Sequence, residues 1–315
     1  GPCFTRWAWP AWRWRPPAEG NELHTSATLS PPPPKERQLR VAVCVAGGVR
    51  ALIHPVVWGS IERHVLGRPG GHAGLQRLGL FLVLGTGAED HARRANNQPL
   101  DEQDYLSSAE GAWLLSTALA GLRPTAVKFV TDVARASCGV PPTGQFDKWA
   151  DCVSLVRQHE RTSGERFNVL WKVRPDTLWR NALVKPPAAL PAGRWSGIAW
   201  LAQQIVEDRA HPLVSVDDIT WLAHRSRWTA LEKMRAGQLH CDPACAAPFW
   251  MWIRGIRSYC YMKAHFARHG IHHVDLTNGP ASPFDTLTTC VMMGSGMMGG
   301  GRGYTLIHDR STQGR

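Results

Sequence analysis

The run from Phe167 to Trp179, FNVLWKVRPDTLW, places a cation and a carboxylate where a strand is expected to end. An apolar stretch of β-branched and aromatic residues stopped by Pro175 is typical of a buried strand. The proline also favours extended geometry at Arg174. Asp176 should therefore lie just past the carboxyl end of a strand, where open α/β sheets bind ligands. This pair could contact a nucleotide phosphate and a divalent metal ion; the plainer interpretation is a surface ion pair in a turn.

A second candidate site follows the first predicted strand. Leu39 to Val45 is a continuous apolar run, typical of an interior parallel strand, and it leads into Ala46-Gly47-Gly48-Val49-Arg50. His54 and Pro55 then open a predicted helix, since proline suits the first helical turn. Strand, glycine turn and helix in this order form a phosphate-binding arrangement, although neither the dinucleotide fingerprint nor the P-loop pattern is present.

A third candidate is the adjacent pair Asp217 and Asp218, which precedes the apolar run Ile219 to Ala223. A carboxylate at the start of a strand could act as a general base toward a hydroxyl group. The alternative is that these residues only cap a turn or a helix.

The remaining pattern alternates strands with helices. The additional predicted strands are Leu78–Leu84, Ala126–Val130, Trp195–Leu201 and Ile271–Leu276. The predicted helices run from His54-Pro55 to about Leu66, from the capping box Ser107-x-x-Glu110 to about Leu119, from Gln145 to about Thr162, from Ser226 to about Ala236, and through Tyr259–His269. This alternation predicts an α/β fold: a single Rossmann-like domain over residues 40–290, with a mostly parallel central sheet flanked by helices.

The two ends of the chain differ from this domain in composition. Residues 1–39 are rich in tryptophan, arginine and proline and are predicted to be a disordered leader and linker. Residues 291–315 are rich in glycine and methionine and are predicted to be a flexible tail.

The formal net charge of +11, from 36 basic and 25 acidic residues, suits an anionic ligand. Residues 40–290 contain no basic run interleaved with aromatic residues, so nucleic acid is not a favoured partner. No apolar stretch reaches the roughly 20 residues that a membrane-spanning helix needs, so no transmembrane segment is predicted in this chain.

Three runs in order along the chain resemble a poorly characterised glycosyltransferase-like family that carries an R-P-D motif. They are RVAVCVAGGVRALIHPVV (residues 40–57), QHERTSGERFNVLWKVRPDTLW (158–179) and VSVDDITWLAHRSRW (214–228). The resemblance implies a nucleotide-diphospho-sugar transferase fold of the GT-A type. It implies transfer of a sugar from a nucleotide-diphosphate donor to an unknown glycan or protein acceptor in the secretory pathway, in the Golgi. The alternative is a catalytically inactive transferase-fold module that binds a glycan or a partner protein.

The resemblance also implies roles for individual residues. Gly47, Gly48 and Arg50 would line the nucleotide, and Arg174 would contact the diphosphate. Asp176 would approach the sugar or hold Mn²⁺ or Mg²⁺, and the catalytic carboxylate would be Asp217 or Asp218. The chain departs from the family's usual D-x-D metal motif, because its first acidic position is Arg174.

Eight cysteines leave several chemistries open. Cys44 lies in an apolar strand and is predicted to be a buried thiol. The spacing of Cys241 and Cys245, followed by His265 and His269 four residues apart, could bind zinc. A disulfide among Cys241, Cys245 and Cys260 and free, partly buried thiols are the alternatives.

Overall fold

The computed structural model describes residues 39–86, 108–131, 144–175, 177–179, 197–216, 220–235, 238–239, 241–246, 254–275 and 289–291. The strands are β1 (Arg40–Gly48), β2 (Arg77–Gly85), β3 (Ala126–Val130), β4 (Val169–Val173), β5 (Thr177–Trp179), β6 (Leu213–Val216), β7 (Thr220–His224), β8 (His273–Asp275) and β9 (Thr289–Val291). The α-helices are α1 (Val49–Leu52), α2 (Pro55–Ser60), α3 (Ala109–Leu122), α4 (Gly144–Ser163), α5 (Gly197–Glu207), α6 (Trp228–Glu232) and α7 (Arg254–Arg268). A π-helix spans Ile61–Val65, and short 3-10 helices span Arg225–Arg227 and Pro243–Ala246.

Seven described strands form one mixed sheet in the order β3-β2-β1-β4-β7-β6-β8. β1 pairs in parallel with β2 and β4, β2 with β3, and β6 with β8. β7 is antiparallel to both of its neighbours, β4 and β6. The predicted α/β sheet with flanking helices is therefore confirmed, but it is mixed because only three residues connect β6 to β7. A parallel crossover needs a dozen or more.

The central strands are buried on both sides, which is why their sequences are continuously apolar. Alternate side chains of a strand point to opposite faces of the sheet. In β1, Val41, Val43 and Val45 pack on one face, and Ala42 and Cys44 pack on the other. All five are at most 1% exposed.

The first face of the sheet, defined here as the side that Val43 faces, is covered by α1, α2, the π-helix, α3 and α5. Its core is mainly aliphatic and also contains two tryptophans, Trp171 and Trp179, whose rings meet edge to face at 6.3 Å. His54 caps α2 by accepting a hydrogen bond from the Val56 N–H, and Pro55 occupies the first turn, as predicted.

The second face, the side that Cys44 faces, is covered by α4, α6 and α7. Its core is rich in aromatic side chains, among them Phe146, Trp149, Trp221 and Trp228. Trp149 packs edge to face against Phe146 at 4.9 Å and against Trp221 at 5.9 Å.

Three local predictions were wrong. Trp195–Leu201 was predicted as a strand, but Gly197–Glu207 is helical, because Ile198, Leu201 and Ile205 recur at helical spacing and are buried against the first face. The cap of α3 is Ser108, which accepts a hydrogen bond from Gly111, and not Ser107.

The third concerns the helix expected to begin at Ser226. His224 caps a 3-10 turn there, and α6 follows at Trp228. The predicted end of the last helix is confirmed. Gly270 lies just after α7 and adopts a positive φ of 60°, which is typical of a glycine that terminates a helix.

Within the described ranges, no helix combines the length and the apolar character needed to cross a membrane. The predicted leader (residues 1–39, described only at Leu39) and nearly all of the predicted tail (291–315, described only at Val291) lie outside the described residues. Their assignment stays a prediction.

Candidate functional site

The carboxyl ends of β1, β2 and β4 meet at one edge of the sheet, referred to below as the carboxyl edge. Val45 of β1 is paired with Val173 of β4, and Gly48 of β1 is paired with Gly85 of β2. The two glycines that end β1 and the start of the R-P-D motif after β4 are therefore neighbours, although more than 120 residues separate them in sequence. Ligands of open α/β sheets bind at such strand ends.

Gly47 and Pro175 are in close contact at this edge. A Cβ atom built on Gly47 would lie 2.5 Å from Cγ and 2.6 Å from Cδ of Pro175. Any larger residue at position 47 would push the proline away, and Pro175 is itself buried. Gly47 is thus required for close approach of the two motifs.

Thr220 connects the amino end of β7 to the same edge. Its Oγ1 accepts a hydrogen bond of 2.8 Å from Nε1 of Trp171 and donates one of 2.6 Å to the carbonyl oxygen of Lys172. In register, Thr220 is paired with both Val173 and Val216. The residues that flank Asp217 and Asp218 in sequence are therefore anchored beside the end of β4.

The described residues account for part of the predicted site. Gly47 and Gly48 end β1, and Arg174 directly follows β4 and is half-buried. Arg50 lies in α1, which begins directly after Gly48. The predicted glycine turn is therefore wrong, because both glycines are still paired within β1. The three acidic residues Asp176, Asp217 and Asp218 lie outside the described residues, so their roles stay predictions.

Lys172 is a residue that sequence reasoning overlooked. It is fully buried on the second face, and its Nζ lies 4.3 Å from the centroid of the Trp149 ring. An ammonium group removed from water needs compensation, and an aromatic face supplies part of it. The available signal was one cation within an otherwise apolar strand, VLWKV.

The segment directly after Asp176 is buried against α2. The backbone N–H of Trp179 donates to Oγ of Ser60 at 3.1 Å. Oγ1 of Thr177 and Nε1 of Trp179 are buried and have no hydrogen-bond partner within the described ranges. Buried polar atoms are usually satisfied, so these two groups are available to a ligand or a water molecule next to the R-P-D motif.

The described part of the carboxyl edge does not supply a metal site. It offers glycines, a guanidinium group and a proline, whereas Mn²⁺ and Mg²⁺ prefer carboxylate oxygens. Across all residues that the structure describes, no group of three histidine, cysteine or acidic side chains could hold a metal ion.

Five described cysteines are in disulfides, which corrects one prediction and decides between alternatives for another. Cys44 is not a free thiol: it is bonded to Cys152 of α4, with Cα atoms 6.1 Å apart. Cys245 is bonded to Cys260 of α7, and Cys241 is also in a disulfide. The zinc hypothesis is therefore wrong, because these sulfur atoms are not thiolates, and the disulfide alternative is confirmed.

Comparisons with known proteins identify no family. No protein-family model matches the chain, and no curated protein matches it. Among solved structures, the chain is similar to a nucleoside-diphosphate-sugar pyrophosphorylase from Vibrio cholerae RC9, at 10% sequence identity and a TM-score of 0.29. That match covers 74% of this chain and 91% of the other. A TM-score this low transfers no function to this chain.

Proposed function

We propose that the carboxyl edge binds the diphosphate of a nucleotide sugar and that the protein transfers the sugar to an acceptor hydroxyl. The contact between Gly47 and Pro175 carries this proposal. It joins the two glycines at the junction of β1 and α1, a strand-to-helix arrangement suited to phosphate, to a motif that provides Arg174 and Asp176. Each pattern alone is common, and their contact at one edge is what supports a nucleotide site.

Glycosyl transfer releases a nucleoside diphosphate, whose developing negative charge must be stabilised. Arg174 and Arg50 are the proposed cations for this purpose. Asp176 is the residue proposed to hold Mn²⁺ or Mg²⁺, which when bound would neutralise part of the same charge. The arginines are fixed charges, so diphosphate binding should persist in part without metal.

The acceptor hydroxyl needs a base within hydrogen-bond reach as it attacks the anomeric carbon. Asp217 or Asp218 is proposed for this role. The support is the anchoring of their neighbours: Val216 pairs with Thr220, and Thr220 is hydrogen-bonded to the end of β4.

The disulfides support a proposed location. Disulfides form and persist in oxidising compartments such as the secretory pathway, and the described residues contain Cys44–Cys152 and Cys245–Cys260. A Golgi enzyme acting on a glycan or a secreted protein would meet this condition.

Calorimetric titration of the full chain with UDP and GDP, each with and without Mn²⁺, tests the proposal. We expect one of the two nucleotides to bind, with weaker binding in Arg174→Gln and with the effect of Mn²⁺ lost in Asp176→Asn. Arg209→Gln is the matched control, because Arg209 is exposed and precedes the amino end of β6, away from the carboxyl edge. If neither nucleotide binds, the enzyme proposal fails and the inactive binding module becomes the better description.

A further inference from the structure

β5 carries two buried polar groups directly after the R-P-D motif. Thr177 is 0% exposed and Trp179 is 1% exposed. Alternate residues of a strand point to the same side, so the hydroxyl of Thr177 and the indole of Trp179 lie on one side of β5. Within the ranges that the structure describes, neither Oγ1 of Thr177 nor Nε1 of Trp179 has a hydrogen-bond partner. Two such groups destabilise a fold, because their hydrogen bonds to water are lost without replacement.

A neighbouring pair of the same residue types shows that the fold can satisfy these groups. Trp171 packs edge to face against Trp179, with ring centroids 6.3 Å apart. Nε1 of Trp171 donates to Oγ1 of the buried Thr220 at 2.8 Å, and Thr220 donates in turn to the carbonyl oxygen of Lys172. One threonine–tryptophan pair is therefore satisfied within the protein. The pair in β5 differs from it in having both polar atoms available for binding.

β5 is held in place by two other parts of the chain. The backbone N–H of Trp179 donates to Oγ of Ser60 at 3.1 Å. β9 pairs with β5, and Val291 lies opposite Thr177. α2 and the π-helix also pack against β5, and π-helices occur frequently at functional sites. The two available polar atoms therefore belong to an anchored strand.

The position and surroundings of the pair indicate what it can bind. Thr177 is two residues after Pro175, which contacts Gly47 at the carboxyl edge. The core around Trp179 is mainly aliphatic, and the hydroxyl of Ser60 adds no charge to it. A phosphate group would lose its hydration in such surroundings without a cation to compensate, whereas a neutral oxygen needs only hydrogen bonds.

We propose that Thr177 and Trp179 bind one neutral oxygen, a hydroxyl or a carbonyl, of the nucleotide sugar whose diphosphate binds at the carboxyl edge. The inference rests on the proposed function. Nε1 of Trp179 can only donate a hydrogen bond, and the hydroxyl of Thr177 can donate or accept one. The oxygen belongs either to the sugar or to the nucleoside. Because protein covers both polar atoms, binding requires a local movement of the surrounding chain.

This pair determines specificity, whereas the proposed arginines do not. Arg50 and Arg174 would contact the diphosphate, which all nucleotide diphosphate sugars share. Thr177 and Trp179 would contact an oxygen that some of these ligands lack. A site built to hydrogen-bond such an oxygen rejects analogues without it, because its buried polar groups then stay unpaired.

Calorimetric titration of the full chain with UDP, GDP, UDP-glucose, UDP-galactose, UDP-N-acetylglucosamine and GDP-mannose tests the proposal. Thr177→Val removes the hydroxyl at nearly constant volume. It should weaken binding of the recognised ligand by about two- to tenfold, because one hydrogen bond is lost. The melting temperature should stay the same or rise, because a methyl group replaces an unpaired buried hydroxyl. Thr177→Ser keeps the hydroxyl and should keep the affinity.

Tryptophan variants test the second donor. Trp179→Phe should weaken the same ligand by a similar factor. Trp228→Phe is the matched control, because the indole of Trp228 is also fully buried and its Nε1 also lacks a partner among the described residues. Trp228 lies in α6, on the second face of the sheet. Its loss should leave the affinity for nucleotides and nucleotide sugars unchanged.

The outcomes distinguish this inference from the proposed function. Weakening by Thr177→Val that is confined to nucleotide sugars assigns the oxygen to the sugar, and equal weakening of the free nucleotide assigns it to the nucleoside. Unchanged affinity in Thr177→Val and Trp179→Phe overturns the inference and leaves the proposed function intact. A lower melting temperature of Thr177→Val with unchanged affinity also overturns it, in favour of an internal water. If no ligand of the series binds the unmodified protein, both proposals fail.

Discussion

The two faces of the central sheet are stabilised by different interactions. The first face is packed mainly by aliphatic side chains of α1, α2, the π-helix and α5. The second face carries the disulfides Cys44–Cys152 and Cys245–Cys260, the buried Lys172 above Trp149, and the ion pair of Arg225 with Glu160. A packed apolar core tolerates small changes in side-chain volume. A disulfide or a buried ion pair, in contrast, loses its stabilising effect when one partner is removed. The second face should therefore be the more sensitive to single chemical changes.

The largest expected effect is removal of the Cys44–Cys152 disulfide. Its cysteines are 108 residues apart, against 15 for Cys245–Cys260. Since stabilisation grows with the length of the closed loop, Cys44→Ala with Cys152→Ala should lower the free energy of unfolding by about 4–5 kcal/mol. Cys245→Ala with Cys260→Ala should lower it by about 3 kcal/mol. Urea denaturation without reductant measures both values, and a reversed order would contradict the loop-length argument.

The buried ion pair should rank next. Glu160 is almost fully buried; its carboxylate accepts from both terminal nitrogens of Arg225 and from the Phe167 N–H at 2.8 Å. Arg225→Met leaves that carboxylate without its cation, and we expect a loss of about 2–4 kcal/mol in the free energy of unfolding.

The matched control is Arg157→Met. Arg157 pairs with Glu232, but both side chains are more exposed than Glu160, at 32% and 23%. The expected loss there is about 0–1 kcal/mol. Equal losses for the two variants, measured by urea denaturation, would mean that burial does not distinguish these ion pairs.

On the first face, the sensitive point is the glycine contact. Gly47→Ala places a methyl group against Pro175 and should destabilise the protein by about 1–3 kcal/mol. It should also weaken nucleotide binding, because Pro175 positions the neighbouring Arg174. Gly59→Ala is the control: nothing lies within 4 Å of its added Cβ, and a gain of about 0.4–1 kcal/mol is expected. Thermal unfolding and UDP titration of both variants test this prediction. Stability and UDP affinity of Gly47→Ala equal to those of the unmodified protein would contradict the need for a glycine at this position.

The smallest expected effect concerns His224, which stacks on His211 with ring centroids 3.8 Å apart. Burial, then the charges of His211, Arg227 and Arg225, lower the pKa of His224 to about 4. Nδ1 of the ring also accepts a hydrogen bond of 3.2 Å from the Ser226 N–H, which requires an unprotonated nitrogen.

Because the folded pKa lies below the ordinary value of 6.5, the unfolded chain binds more protons between these two values. This contribution to stability is complete above about pH 6.5 and is lost as the pH falls toward 4. His224→Gln should flatten the fall in melting temperature over this window. An identical pH profile for His224→Gln and the unmodified protein would contradict the assignment.

The local pattern of the sequence determined the central strands and most helices. β1, β2, β3 and β4 were predicted within about three residues, because strands buried on both faces show as continuous apolar runs. The same reasoning located Gly47 and Arg174 at strand ends. It failed for α5, whose apolar residues fit a strand over a short window and a helix over a longer one.

Only the tertiary structure decided which elements are neighbours. Periodicity reports whether a residue is buried but not what it is buried against. β1 pairs with β4, and the disulfide between Cys44 and Cys152 joins β1 to α4; both contacts connect segments that are far apart in sequence. The antiparallel pairing of β7 with β4 also connects distant segments, whereas the pairing of β7 with β6 is a local hairpin. The contact of Gly47 with Pro175 follows from that strand order. The sequence thus determined which residues are candidates for a site. The order of the strands decided that two of the candidate motifs meet. Strand order depends on the consistency of contacts over the whole fold, so no local pattern specifies it.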